Sequence, residues 1–149
     1  MRQSRWRQYG LILVLAFSLP GLLWAQKPDD LTQKLVRSYD LMEACKLEEA
    51  KKLYQEILAE NPGNPLALNN LAAILVKQGD FQGAMDYLEK ALPRAKGYKI
   101  QVNKVCEVEG ICLAFRPLAA AYGNQDLEPL IKLNIEMLKS KMAAGGQGK

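Results

Sequence analysis

The chain has 149 residues, 49% of them hydrophobic and 24% charged, with a formal charge of +4. That length accommodates one domain with a modest core. The excess charge sits in Arg2, Arg5 and Arg7: without residues 1–25 the balance falls from 20 minus 16 to 17 minus 16, or +1. A body so close to neutral lacks the field that neutralises phosphates, which argues against nucleic acid as a partner.

The N-terminus, MRQSRWRQYGLILVLAFSLPGLLWAQ, sets a basic start before an apolar run from Leu11 to Leu19, a Pro20-Gly21 breaker and Ala25. This is the pattern of a secretory signal peptide over residues 1–25, cleaved after Ala25. The alternative is an uncleaved inner-membrane anchor. Against it, the apolar run is interrupted at Pro20 and is short for a span of about 20 residues. Either way the body from Gln26 is expected outside the cytoplasm, periplasmic or secreted. Cys106 and Cys112 are close in sequence and Cys45 is distant. In an oxidising space the close pair is a disulfide candidate, and the alternative is three buried thiols packing as small hydrophobes.

A polar lead-in, Gln26 to Asp30, ends in residues suited to capping. Apolar residues then recur at helical spacing from Leu31 to Ala44, with Leu31, Leu35, Tyr39 and Met42 on one stripe. Cys45-Lys46 interrupts it. A second stripe, Leu47, Ala50, Leu53, Tyr54, Ile57 and Leu58, runs to Glu60, and Asn61-Pro62-Gly63-Asn64-Pro65 stops one helix and starts the next. Leu68, Leu71, Ala72 and Leu75 line a third helix. After Gly79-Asp80, Phe81, Ala84, Leu88 and Ala91 line a fourth. Sliding the first pair along by 34 residues superposes Leu41 on Leu75, Leu47 on Phe81, Ala50 on Ala84, Tyr54 on Leu88 and Leu58 on Leu92.

Those residues resemble the tetratricopeptide repeat, a helix–turn–helix unit of 34 residues. Leu71, Ala84 and Ala91 match its pattern in the second unit, as do Ala50, Tyr54 and Pro62 in the first. Lys34, Arg37 and Ser38 depart from the first-helix pattern, and Cys45 stands where the turn glycine belongs. The resemblance covers residues 31–98, as repeats 31–64 and 65–98. It implies an all-α, right-handed array of helical hairpins. It also implies that the first helix of each unit lines a concave, protein-binding face. The residues so placed are Leu35, Tyr39 and Met42, then Asn69, Asn70, Ala73, Val76 and Lys77. Such a trough would take an extended or helical peptide, with Asn70 on the peptide backbone and Lys77 on an acidic group. Alternatively the C-terminal segment folds into the trough and these residues are core. The family's chaperone-tail clamp is not supported, because Leu35 and Tyr39 stand where its lysine and asparagine would be.

Two units bury too little on their own, since about three are usually needed. Lys99 to Phe115 is rich in β-branched residues and contains Glu109-Gly110. It reads as an extended insert over 99–117, a small hairpin in which Cys106 and Cys112 face each other, or else as a poor first helix of a third repeat. The insert serves as a specific contact surface anchored by Arg116, or as a cap on the second repeat. From Leu118 the spacing predicts a degenerate third helical hairpin to residue 142, closing a domain of 26–142, and Ala143 to Lys149 reads as a flexible tail. With no histidine, the commonest general base is missing. No GxSxG, phosphate loop, HExxH or GxGxxG occurs, and no cofactor or metal set is expected. The expectation is therefore no enzyme, but an exported adaptor or assembly factor binding another envelope or secreted protein. The rival reading is a membrane-tethered structural subunit.

Overall fold

The computed structural model describes residues 30–122 and 126–146. The signal-peptide and anchor readings, and residues 147–149 of the predicted tail, lie outside them; residues 143–146 of that tail instead continue the last helix. Four helices come first: α1 (Asp30–Glu43), α2 (Leu47–Glu60), α3 (Pro65–Lys77) and α4 (Phe81–Ala95). Two antiparallel strands, β1 (Tyr98–Val108) and β2 (Cys112–Tyr122), precede a last helix, α5 (Glu128–Gly146).

Local chemistry sets the helix ends. Asn64 caps α3, its side chain accepting from the Ala67 N–H at 2.8 Å, and Pro65 follows in the first turn, where its missing N–H costs nothing. Asp80 caps α4 through the Gly83 N–H at 2.9 Å. Between the helices of each pair one residue takes the left-handed conformation: Gly79 at φ +82° and, 34 positions earlier, Cys45 at φ +58°. Cysteine thus occupies a backbone state that glycine adopts without steric cost.

Ala50 and Ala84 are fully buried in the second helix of their pairs, beside buried Tyr54 and Leu88. Every residue of α3 from Pro65 to Val76 is buried. A helix apolar on all sides requires neighbours all round. α2 and α4 flank α3 within the array, and β2 lies along the side they leave open.

Three residues, Glu109 to Ile111, join the strands; Glu109 (φ +54°) and Gly110 (φ +67°) take positive φ, and the Ile111 N–H donates to the Val108 carbonyl at 3.1 Å. Here the structure corrects the expected third helical hairpin. Residues 118–122 continue β2, with Gln101 opposite Ala119 and Tyr98 opposite Tyr122. The alanines favour helix, but strand pairing with Tyr98 to Gln101 overrides that preference. One helix, α5, packs through buried Ile131, Asn134, Ile135 and Leu138, with buried Leu127 just before it, to close the core.

The expectation that Cys106 and Cys112 face each other is also corrected. Cys106 lies opposite Ala114 and Cys112 opposite Val108, so the two cysteines are diagonal neighbours and not a facing pair. Diagonal positions are about 7–8 Å apart, beyond the usual reach of a disulfide. All three cysteines are free thiols.

Candidate functional site

The face expected to bind a peptide is the side of α1 and α3 turned toward the hairpin. Of its predicted residues, Leu35, Tyr39, Met42, Asn69, Asn70, Ala73 and Val76 are each no more than 2% exposed, and Lys77 alone lies at the surface. The trough exists, but it is full. Its occupant is β2, an extended segment of the same chain.

Asn70 holds that strand by its backbone. Its Nδ2 donates to the Phe115 carbonyl at 2.8 Å, and its Oδ1 accepts from the Phe115 N–H at 2.9 Å. The carboxamide thereby stands in for a peptide unit of a neighbouring strand. The same Nδ2 also lies 3.0 Å from the Tyr54 hydroxyl, which fixes the amide's orientation. One strand step further, Asn134 of α5 accepts from the Leu113 N–H at 2.8 Å and donates to the Leu113 carbonyl at 2.9 Å. Asn69 reaches that carbonyl at 2.9 Å, and its Oδ1 accepts from Asn134 at 2.7 Å. Three buried asparagines therefore satisfy the edge of β2 that faces away from β1. Left unpaired, each of those buried backbone groups would cost about 1–3 kcal/mol.

The hairpin also carries cations to α1. Arg116 makes a two-pronged contact with Asp40, Nε to Oδ1 at 2.6 Å and Nη2 to Oδ2 at 3.1 Å, and reaches Asn103 at 3.3 Å. Lys104, opposite Arg116 in the strand pair, meets Glu43 at 3.1 Å. The Arg116 guanidinium holds the Asp40 carboxyl below its ordinary range. Arg116, read from sequence as a partner anchor, is paired within the chain to Asp40 and Asn103. Burial pushes Tyr39 up to about 12 and raises Tyr54 further, so both stay neutral hydroxyls within the core. Burial likewise pushes the Cys112 thiol up to about 12.

Among the described residues no group of three or more His, Cys, Asp or Glu is placed to hold a metal. The functional reading therefore rests on the array itself. Residues 41–105, from the end of α1 into β1, match the family model described as a tetratricopeptide repeat. The four helices form a tetratricopeptide-like array of helical hairpins. No curated protein and no solved structure gives a significant match to the chain. Tetratricopeptide repeats serve protein–protein interaction, and this array already holds an extended strand on the surface that reads peptide backbone.

Sequence reasoning missed Asn134, because it falls within the apolar spacing of the last helix. A signal was present: it is a polar residue on the stripe formed by Ile131, Ile135 and Leu138, and a polar residue buried there needs a partner. Asn69 and Asn70 were placed correctly on the trough, but their ligand is the chain's own β2.

Proposed function

We propose that this tetratricopeptide protein is an exported interaction module, an adaptor or assembly factor. In this reading it docks another envelope or secreted protein through the outward strand of its hairpin. One observation carries the reading: none of the seven residues from Gln101 to Glu107 is buried, and Val105 is 55% exposed. β1 has β2 on one side and no strand on the other among the described residues. A free strand edge is a template for an added strand, with main-chain hydrogen bonds supplying affinity. Register shifts at Gln101/Val102 and Val102/Lys104 disturb the N-terminal half, and the pairing is regular from Lys104 to Val108. Docking therefore centres on Val105, whose N–H points away from β2 just as that of its opposite, Phe115, points away from β1.

The test is a crosslinking capture from the native envelope with Val105→Pro. The substitution removes an outward N–H and leaves the β1–β2 ladder intact. Capture should fall at least about tenfold, corresponding to 1.4 kcal/mol or more, with unchanged thermal stability. Undiminished capture would sink the edge-docking reading. Export is checked separately by the mass of the mature chain: a start at Gln26 supports the soluble module, and a start at Met1 supports the tethered subunit.

A further inference from the structure

A cleft of about 380 Å³ lies where the turn between α3 and α4, the hairpin tip and α5 meet. Its apolar lining is Val76 and Ile111, both buried, with half-buried Phe81. Three charged residues stand around it, Lys77 from α3, Lys141 from α5 and Glu109 from the hairpin tip, all exposed. Lys77 touches the Cys45 thiol at 3.5 Å, a weak contact, and neither lysine is in an ion pair among the described residues. The volume lies within the range of about 300–1,000 Å³ typical of ligand pockets. Two lysines against one glutamate leave the rim positive.

We infer that this cleft binds an acidic segment of a partner polypeptide. One apolar side chain of that segment seats against Val76, Phe81 and Ile111, and flanking carboxylates pair with Lys77 and Lys141. Each wall comes from a different part of the chain, so the cleft exists only while the hairpin fills the repeat groove. The filled groove is therefore a precondition of this site. The site is independent of docking at the β1 edge, and either can fail without the other.

The experiment is an amide-resolved NMR titration with acetyl-Asp-Leu-Asp carrying a free C-terminus, up to about 10 mM. At that concentration a millimolar Kd, worth about 4 kcal/mol, is measurable. Saturable shifts are expected at residues 76–81, at 109–111 and around Lys141. Lys77→Glu with Lys141→Glu should weaken binding at least tenfold, and the two arginine substitutions should retain it. Glu109→Gln should tighten it. No saturable shift in the wild type would overturn the inference, as would equal binding by the double glutamate variant or by a probe with Asn in place of Asp.

Discussion

Replacing Asn70 with alanine removes the side chain that holds β2 in the groove, and its cost follows from the contacts. The substitution leaves the Phe115 N–H and C=O without their side-chain partner and takes a donor from the Tyr54 hydroxyl, all in the buried interior. At about 1–3 kcal/mol for each of the three buried groups affected, the gross loss is about 3–9 kcal/mol. Water entering the space left by the carboxamide recovers part of that, so about 3 kcal/mol is expected. For a body of this size that corresponds to a fall in Tm of roughly 10–15 °C. Denaturant unfolding of Asn70→Ala against wild type measures it, and an unchanged m-value confirms that the native state remains compact. A cycle with Tyr54→Phe isolates the shared hydrogen bond, for which a coupling of about 1 kcal/mol is expected. A loss below about 1 kcal/mol for Asn70→Ala would refute the reasoning, because it would mean the strand does not depend on the carboxamide.

Thiol labelling should proceed in an order set by burial: Cys45 fastest, Cys106 slower, and Cys112 only on unfolding, with all three labelled under denaturing, non-reducing conditions. A single labelled position in that final step would revive a bridge. The folded Asp40 carboxyl titrates below its unfolded value, so its pairing stabilises above about pH 4 and is lost as pH falls through the depressed value. Asp40 is 48% exposed, so Asp40→Asn should cost less than about 1 kcal/mol at neutral pH and less again in high salt. A larger loss that salt leaves unchanged would contradict this. Tyr39 and Tyr54 are raised by burial, so the stability they contribute is intact below about pH 10 and lost as pH rises above it. Tyrosinate absorbance should therefore rise for these two only together with alkaline unfolding.

The helical array was legible because its signals are local. Periodic apolar stripes, Asn64-Pro65 and Gly79-Asp80 specify α1 to α4 to within a residue or so. Glu109-Gly110 marked the hairpin turn for the same reason. The last five residues of β2 were not legible. Leu118 and Tyr122 are spaced as on a helix around three alanines, and only pairing with a strand some twenty residues away makes them extended. The trough was located by the spacing of Leu35, Tyr39, Asn69 and Asn70, but its occupancy depends on Asn134, 65 positions from its partner Asn69. No local pattern encodes a contact of that range. Arg116 was read as a partner anchor because arginine suits recognition, and nothing local signals its pairing with Asp40, 76 positions away.

The chain's own strand fills the groove of the tetratricopeptide-like array, held by asparagine side chains. Native-state hydrogen exchange at two amides tests it most directly. The Leu113 and Phe115 N–H groups donate to Asn134 and Asn70 and take no part in the β1–β2 ladder. They should exchange only through unfolding of the whole domain, with protection close to the global stability, whereas the outward amides of Val105 and Glu107 exchange fast. If Leu113 and Phe115 exchanged as fast as Val105, the groove would be open and the account wrong.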